Sequence, residues 1–301
     1  MYNGIINVYK EKGYTSFDVV ARMRGICGQK KIGHTGTLDP DAEGVLPVCL
    51  GKATKVCDML TDSDKVYRAV MQLGVETDTQ DLTGTVLKTG ETAGLTEAKV
   101  REVILGFQGE ILQVPPMYSA LKVNGKKLCD LARAGVTVER KARPVTIYAI
   151  QIERIALPEI ELTVSCSKGT YIRTLCHDIG QKLGCGAAMK SLLRLQAAGY
   201  RLADAYKLDE LQKLKEAGTL KDVVIPIEQV FEVYPVLTAK LEFDVMLKNG
   251  NKMAPQQFQE AAEPQPGEKV RVRMSDGRFA AVYEYREDLG LYRPSKMFLE
   301  D

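Results

Sequence analysis

Residues 33–55 read GHTGTLDPDAEGVLPVCLGKATK. Four glycines, two prolines and three carboxylates in 23 residues fit neither a regular helix nor a regular strand. Gly33-His34-Thr35-Gly36 is a tight polar turn, and Pro40 biases Asp39 toward an extended backbone. A carboxylate held on such a loop points from a fixed place. Asp39, Asp41, Glu43 and Gly44 mimic the opening of a calcium loop, but the twelfth position, which needs a bidentate Glu, is Leu50. Gly51-Lys52 resembles the end of a phosphate-binding loop, yet position 46 is Leu and position 53 is Ala. Two readings remain for Asp39 on these residues alone: a carboxylate nucleophile or base, or a loop acid in contact with solvent.

Around this loop the chain alternates between helix and strand patterns. Residues 15–24 form a short helix capped by Thr15 or Ser16 and followed by Gly25. Residues 65–73 place Tyr67, Ala69, Met71 and Leu73 on one face of a strand. A helix starts at Thr96 with Val100, Val103 and Ile104, strands cover 147–155 and 161–166, and a helix from about Tyr171 to Leu183 follows. Leu208, Leu211 and Leu214 make a short helix. No regular βαβ rhythm emerges, so the fold class is α+β, a mixed α/β arrangement. Residues 269–274 and 278–286 flank Asp276-Gly277, a hairpin signal. Residues 235–301 therefore read as a small all-β domain after a first domain of residues 1–234.

At 301 residues the chain suits two domains. Its net charge is only +2, yet residues 115–143 carry seven basic and two acidic residues and are +5 alone, leaving −3 elsewhere. That segment, with Lys122, Lys126, Lys127, Arg133, Arg140, Lys141 and Arg143, reads as an insertion with a basic face. The seven cysteines show no metal-ligand spacing and read as reduced, mostly core thiols. No apolar run is long enough to span a bilayer, and a cytoplasmic location is expected.

The chain resembles the TruB family of bacterial tRNA pseudouridine-55 synthases. The resemblance rests on Gly33–Lys55, KVYRA from Lys65, TDTQDLTG from Thr77, PMYSALK from Pro116, CSKGTYIRTL from Cys166 and LLRL from Leu192, in that order. It implies a pseudouridine synthase fold with a mainly antiparallel sheet and flanking helices, a thumb at about 115–143, and a PUA-like RNA-binding domain at 235–301. It also implies a monomer that isomerises uridine-55 in the T-arm stem-loop of tRNA, with no cofactor and no metal. Asp39 would be the catalytic nucleophile, and Arg173 the guanidinium that keeps it ionised. Tyr67, Tyr171 and Leu192 would line the base pocket, and His34 would hold the displaced RNA loop. Asp81 would balance charge, His177 would face solvent, and the seven basic thumb residues would meet phosphates. The alternative reading is a noncatalytic RNA-binding or tRNA-folding chaperone.

Overall fold

The computed structural model describes residues 1–123, 125–260 and 263–299. The chain opens with strand β1 (Gly4–Lys10), helix α1 (Ser16–Cys27), β2 (Ile32–His34), β3 (Glu43–Leu50), α2 (Cys57–Thr61) and β4 (Lys65–Leu73). β5 (Val75–Thr77), β6 (Val86–Thr89), α3 (Glu97–Leu105) and β7 (Gly109–Gln113) follow. The basic segment forms β8 (Lys122–Val123), β9 (Lys126–Lys127) and α4 (Leu128–Arg133). Then come β10 (Arg143–Ala156), β11 (Glu159–Cys166), α5 (Ile172–Leu183), β12 (Ala187–Ala197), β13 (Tyr200–Arg201) and α6 (Leu208–Glu216). The C-terminal part holds β14 (Val236–Thr238), α7 (Asp244–Lys248), β15 (Lys269–Arg273), β16 (Phe279–Arg286) and β17 (Leu291–Met297).

The large sheet runs β1-β3-β12-β4-β11-β10-β7, with β2 and β13 paired to β3 and β12. It is antiparallel throughout except where β12 runs alongside β3. The alternation in β4 is kept: Tyr67, Ala69, Met71 and Leu73 are buried on one face, and Lys65 extends that face by one residue. Against this face pack the α5 stripe (Leu175, Cys176, Ile179) and Val100 and Ile104 of α3. A second core lies between α1, α6, β1 and β3.

Two local features differ from the sequence expectation. First, α1 continues through Gly25 to Cys27 and ends at Gly28, which takes a left-handed φ of 64°. Met23, Ile26 and Cys27 extend its buried stripe, and their burial outweighs the roughly 1 kcal/mol that an interior glycine costs. Thr15 caps the other end in a reciprocal capping box with Asp18. Second, residues 43–50 are a buried strand despite Pro47. Asn7, opposite Pro47 on β1, turns its own carbonyl to Tyr206. The Pro47 carbonyl accepts from Thr35 on the other edge. Pro47 therefore lies between the stretches of β3 paired by β12 and β2, where no ladder needs its N–H.

The C-terminal sheet, β14-β15-β16-β17, has its own core around Leu237, Val272, Tyr283 and Tyr292. It is not purely β, since α7 and short 3₁₀ turns join the strands. Phe231, Val282 and Phe298 pack with Ile5, Cys49 and Val56, joining this sheet to the edge of the large one. Glu228 adds ion pairs to Arg273 at 2.8 Å and Arg271 at 3.6 Å. Among the described residues no helix is long and apolar enough to cross a membrane. All seven cysteines are free, five of them buried.

Candidate active site

Three chain segments meet beside the paired strands β4 and β12. The first is the loop that carries Asp39. It is pinned from below by Lys10, which is fully buried and donates from Nζ to the carbonyls of Ala42 (2.5 Å), Pro40 (3.1 Å) and Glu11 (3.2 Å). Burial draws the Lys10 ammonium down to about 8, while the Asp39 and Glu43 charges act the other way. Leu38, just before Asp39, is buried, and its N–H donates to Ser16 Oγ at 2.9 Å. The loop is thus fastened to the start of α1.

The second segment is the first turn of α5. Arg173 is buried and spreads its guanidinium over four partners. Nε lies 3.1 Å from Asp39 Oδ2, and Nη2 donates to Asp39 Oδ1 at 3.3 Å. Nη1 reaches Asp81 Oδ2 at 3.5 Å and donates to the Thr79 carbonyl at 3.1 Å. Nη2 also donates to the Tyr118 carbonyl at 2.7 Å, so the basic segment starts from the same group. A planar fork with five donors suits this task, and a lysine could not fill it. Burial pushes the Asp39 carboxyl above the usual carboxylate range, and Asp81 adds to the rise; Arg173 and Lys10 oppose it. Arg173 thus favours the ionised carboxylate, while desolvation acts against it and is the larger influence. The outcome is a more basic carboxylate, with the Asp39 side chain still 39% exposed toward the cavity.

The third segment is the sheet face itself. Leu192 and Arg194 of β12 stand opposite Ala69 and Tyr67 of β4. The register slips between Arg194 and Gln196, a bulge beside the site of the kind that re-aims side chains. Arg194 is fully enclosed and donates to the Val45 carbonyl at 2.6 Å. Its backbone touches Gly44, whose φ is 106°; a Cβ there would lie 2.3 Å from the Arg194 carbonyl oxygen. Only glycine permits that approach. Burial raises the Tyr67 phenol, and the neighbouring Arg194 guanidinium, hydrogen-bonded to it, pulls the other way.

These parts enclose a cavity of about 300 Å³ lined by Asp39, Tyr67, Tyr171, Arg173, Leu192 and Arg194, among others. Tyr171 is fixed by Gln113, which bonds both its N–H (3.0 Å) and its carbonyl (3.1 Å). Lys65 also reaches the cavity, a residue the sequence reading passed over as part of a strand. Its Nζ donates to the Thr61 and Ser63 carbonyls, and burial draws it down to about 8. A second cavity of about 460 Å³ shares Asp39, Arg173 and Leu192, and is bounded by Phe17, Asp81, Lys127 and Arg133.

The remaining candidates are spread out. His34 lines neither cavity and stands edge-on to Phe17, with ring centroids 5.4 Å apart. Lys122 and Lys126 border a separate hollow of the basic segment, with Lys127. Arg140 turns inward to the Pro115 carbonyl at 3.0 Å, and its Nε is buried, so packing rather than an open basic face holds it. Lys141 and Arg143 are exposed. His177 is half-buried, not solvent-facing, and its Nδ1 is enclosed. Among the described residues no group of His, Cys, Asp and Glu could hold a metal ion.

Residues 24–172 match the family described as TruB family pseudouridylate synthase (N terminal domain). Residues 173–232 match the tRNA pseudouridylate synthase B C-terminal domain. The chain belongs to the TruB family of pseudouridylate synthases. A relative from Lachnoclostridium phytofermentans, named tRNA pseudouridine synthase B, is 50% identical over 99% of this chain and 100% of its own length. A protein of the same name from Clostridium perfringens is 43% identical over 99% and 100%. Among solved structures, an H/ACA RNP bound to a substrate RNA containing 2'-deoxyuridine aligns with a TM-score of 0.72. Identity there is 26%, covering 99% of this chain and 85% of that one. A Cbf5-Nop10-Gar1 complex gives 0.71, with 28% identity over 98% and 85%. The two family matches meet between Ile172 and Arg173, so the Asp39–Arg173 pair joins one matched region to the other.

Proposed function

We propose that this chain is an isomerase that converts uridine-55 in the T-arm stem-loop of tRNA to pseudouridine, with Asp39 as the nucleophile. The observation that carries this reading is the bidentate Asp39–Arg173 pair at the mouth of a cavity of about 300 Å³, at the lower end of the range for small-molecule sites. The reaction is balanced within the substrate and solvent: the N1–C1′ bond breaks and a C5–C1′ bond forms, C5 gives up its proton to solvent and N1 takes one up. A base in a folded loop must first be flipped out, at a cost of a few kcal/mol. In the cavity Tyr67 and Leu192 would pack on the base, and Tyr171 would close its side. The aspartate carboxylate, made more basic by burial, would attack the uracil ring or the ribose.

Residues 1–234 would act as the catalytic domain, with 115–143 as a thumb on the RNA backbone. Lys122, Lys126, Lys127, Arg133, Lys141 and Arg143 would meet phosphates, with Arg140 folded back onto Pro115. The sheet of residues 235–301 would serve as a PUA-like RNA-binding domain, and the protein would work as a monomer. The chaperone reading leaves a buried Arg173 and its two partly buried carboxylates, Asp39 and Asp81, without a task, and such clusters are costly to build. Asp39→Asn should abolish pseudouridine formation on T-arm transcripts while RNA binding survives. Carbodiimide modification followed by primer extension reads the product, whose mass is that of uridine. Turnover retained by the variant would overturn the assignment.

A further inference from the structure

We propose that Phe17 is a stacking plate for a second, unpaired nucleobase of the RNA, beside the one that enters the Asp39 cavity. This rests on the RNA-modifying function proposed for the Asp39 site. Phe17 is 68% exposed, so it contributes little to any core. Its backbone is nevertheless fixed. Thr15 and Asp18 lock the turn on either side in a capping box, and Ser16 holds the Leu38 N–H, one residue before Asp39. The plate is thereby geared to the nucleophile's own loop. Lys127 Nζ sits over the ring, 5.8 Å from its centroid, and His34 meets it edge-to-face.

Phe17 and Lys127 both border the cavity of about 460 Å³ that shares Asp39 and Arg173 with the smaller one. Two acids on that border are already paired, Asp41 with Lys12 at 3.7 Å and Asp130 with Arg133 at 3.9 Å. Asp39 and Asp81 are held by Arg173. An exposed aromatic ring beside a cation, continuous with a site for one flipped base, fits a nucleobase on the ring with Lys127 moved from over it to the adjacent phosphate. Flipping the target uridine unstacks its neighbour, and Phe17 is placed to cover that exposed face.

The test measures affinity for a T-arm stem-loop and for a set of the same RNA, each with one abasic loop position. Phe17→Ala should weaken binding of the intact RNA about 5- to 150-fold, the equivalent of about 1–3 kcal/mol of base–aromatic stacking. Phe17→Trp should restore it. At one abasic position the wild type should lose the same affinity, and Phe17→Ala should cost nothing more. Unchanged affinity in Phe17→Ala, or an equal loss on every abasic RNA, overturns the proposal while leaving the isomerase function standing if the wild type still makes pseudouridine. A wild type that neither binds nor modifies the stem-loop overturns both. Matching melting curves for wild type and variants establish that the effect is not one of folding.

Discussion

Arg173 and Asp81 should shift the pH dependence of the reaction in opposite directions. Arg173 holds Asp39 through two contacts, at 3.1 and 3.3 Å. At an effective dielectric constant of about 20, charges at that separation attract by about 5 kcal/mol. The Asp39 side chain is 39% exposed, so solvent screens part of this, and about 1.5–3 kcal/mol is the fair expectation for a charge-assisted hydrogen bond. Arg173→Met should therefore slow the single-turnover reaction at neutral pH about 10- to 150-fold. The sign follows from the groups around Asp39. A nucleophilic carboxylate works when ionised, so activity falls as pH drops through its pKa. Burial already raises that pKa, Arg173 opposes the rise and Asp81 adds to it. Removing Arg173 moves the acid limb to higher pH; Asp81→Asn moves it to lower pH. Tritium release from T-arm RNA carrying 5-³H-uridine, followed from pH 5 to 9, reads both limbs. Limbs that stay put, or that move together, would refute the electrostatic account and leave Arg173 with a purely geometric role.

Three further outcomes are expected. Lys10→Met should destabilise the fold by about 1–3 kcal/mol or more, because carbonyls at Glu11, Pro40 and Ala42 lose a buried donor. The folded Lys10 titrates near 8, below its unfolded value. The unfolded chain thus binds more protons from about pH 8 to 10.5, and the wild type should gain on the variant as pH rises through that window. Chemical denaturation at several pH values checks both the size and the sign. Gly44→Ala should cost more than about 1 kcal/mol from backbone strain alone, with the Arg194 contact adding to it, read as a lowered melting temperature. Reversing Lys122, Lys126 and Lys127 to Glu should flatten the salt dependence of RNA binding by about 0.7–0.9 in log–log slope for each phosphate no longer neutralised.

Much of the fold was legible because it rests on local periodicity. The β4 alternation and the α5 stripe are both buried, so the sequence pattern maps onto contacts, although the first turn of α5 is buried all round. Pro47 hid the strand at residues 43–50, since its missing N–H becomes harmless only once the neighbouring ladders are in place. Gly25 suggested an early helix end because a propensity rule cannot weigh the burial of Ile26 and Cys27. In the site, Asp39 and Arg173 lie 134 residues apart, and no spacing rule joins them; only the family resemblance named both. Lys10 and Lys65 were missed for a related reason. A lysine at the end of a strand normally reaches solvent, and only the tertiary fold supplies the carbonyls that receive these two. Arg140 is the reverse case, counted with the basic face yet folded back onto Pro115.

The bond from Arg173 Nη2 to the Tyr118 carbonyl has a consequence for selectivity. One guanidinium steadies both Asp39 and the root of the basic segment. If Asp39 acts as proposed, an RNA that displaced the basic segment incorrectly would pull on the group that holds the carboxylate. Discrimination between substrates would then appear in the speed of the chemical step, and a poorly fitting RNA could be held for a long time without being changed.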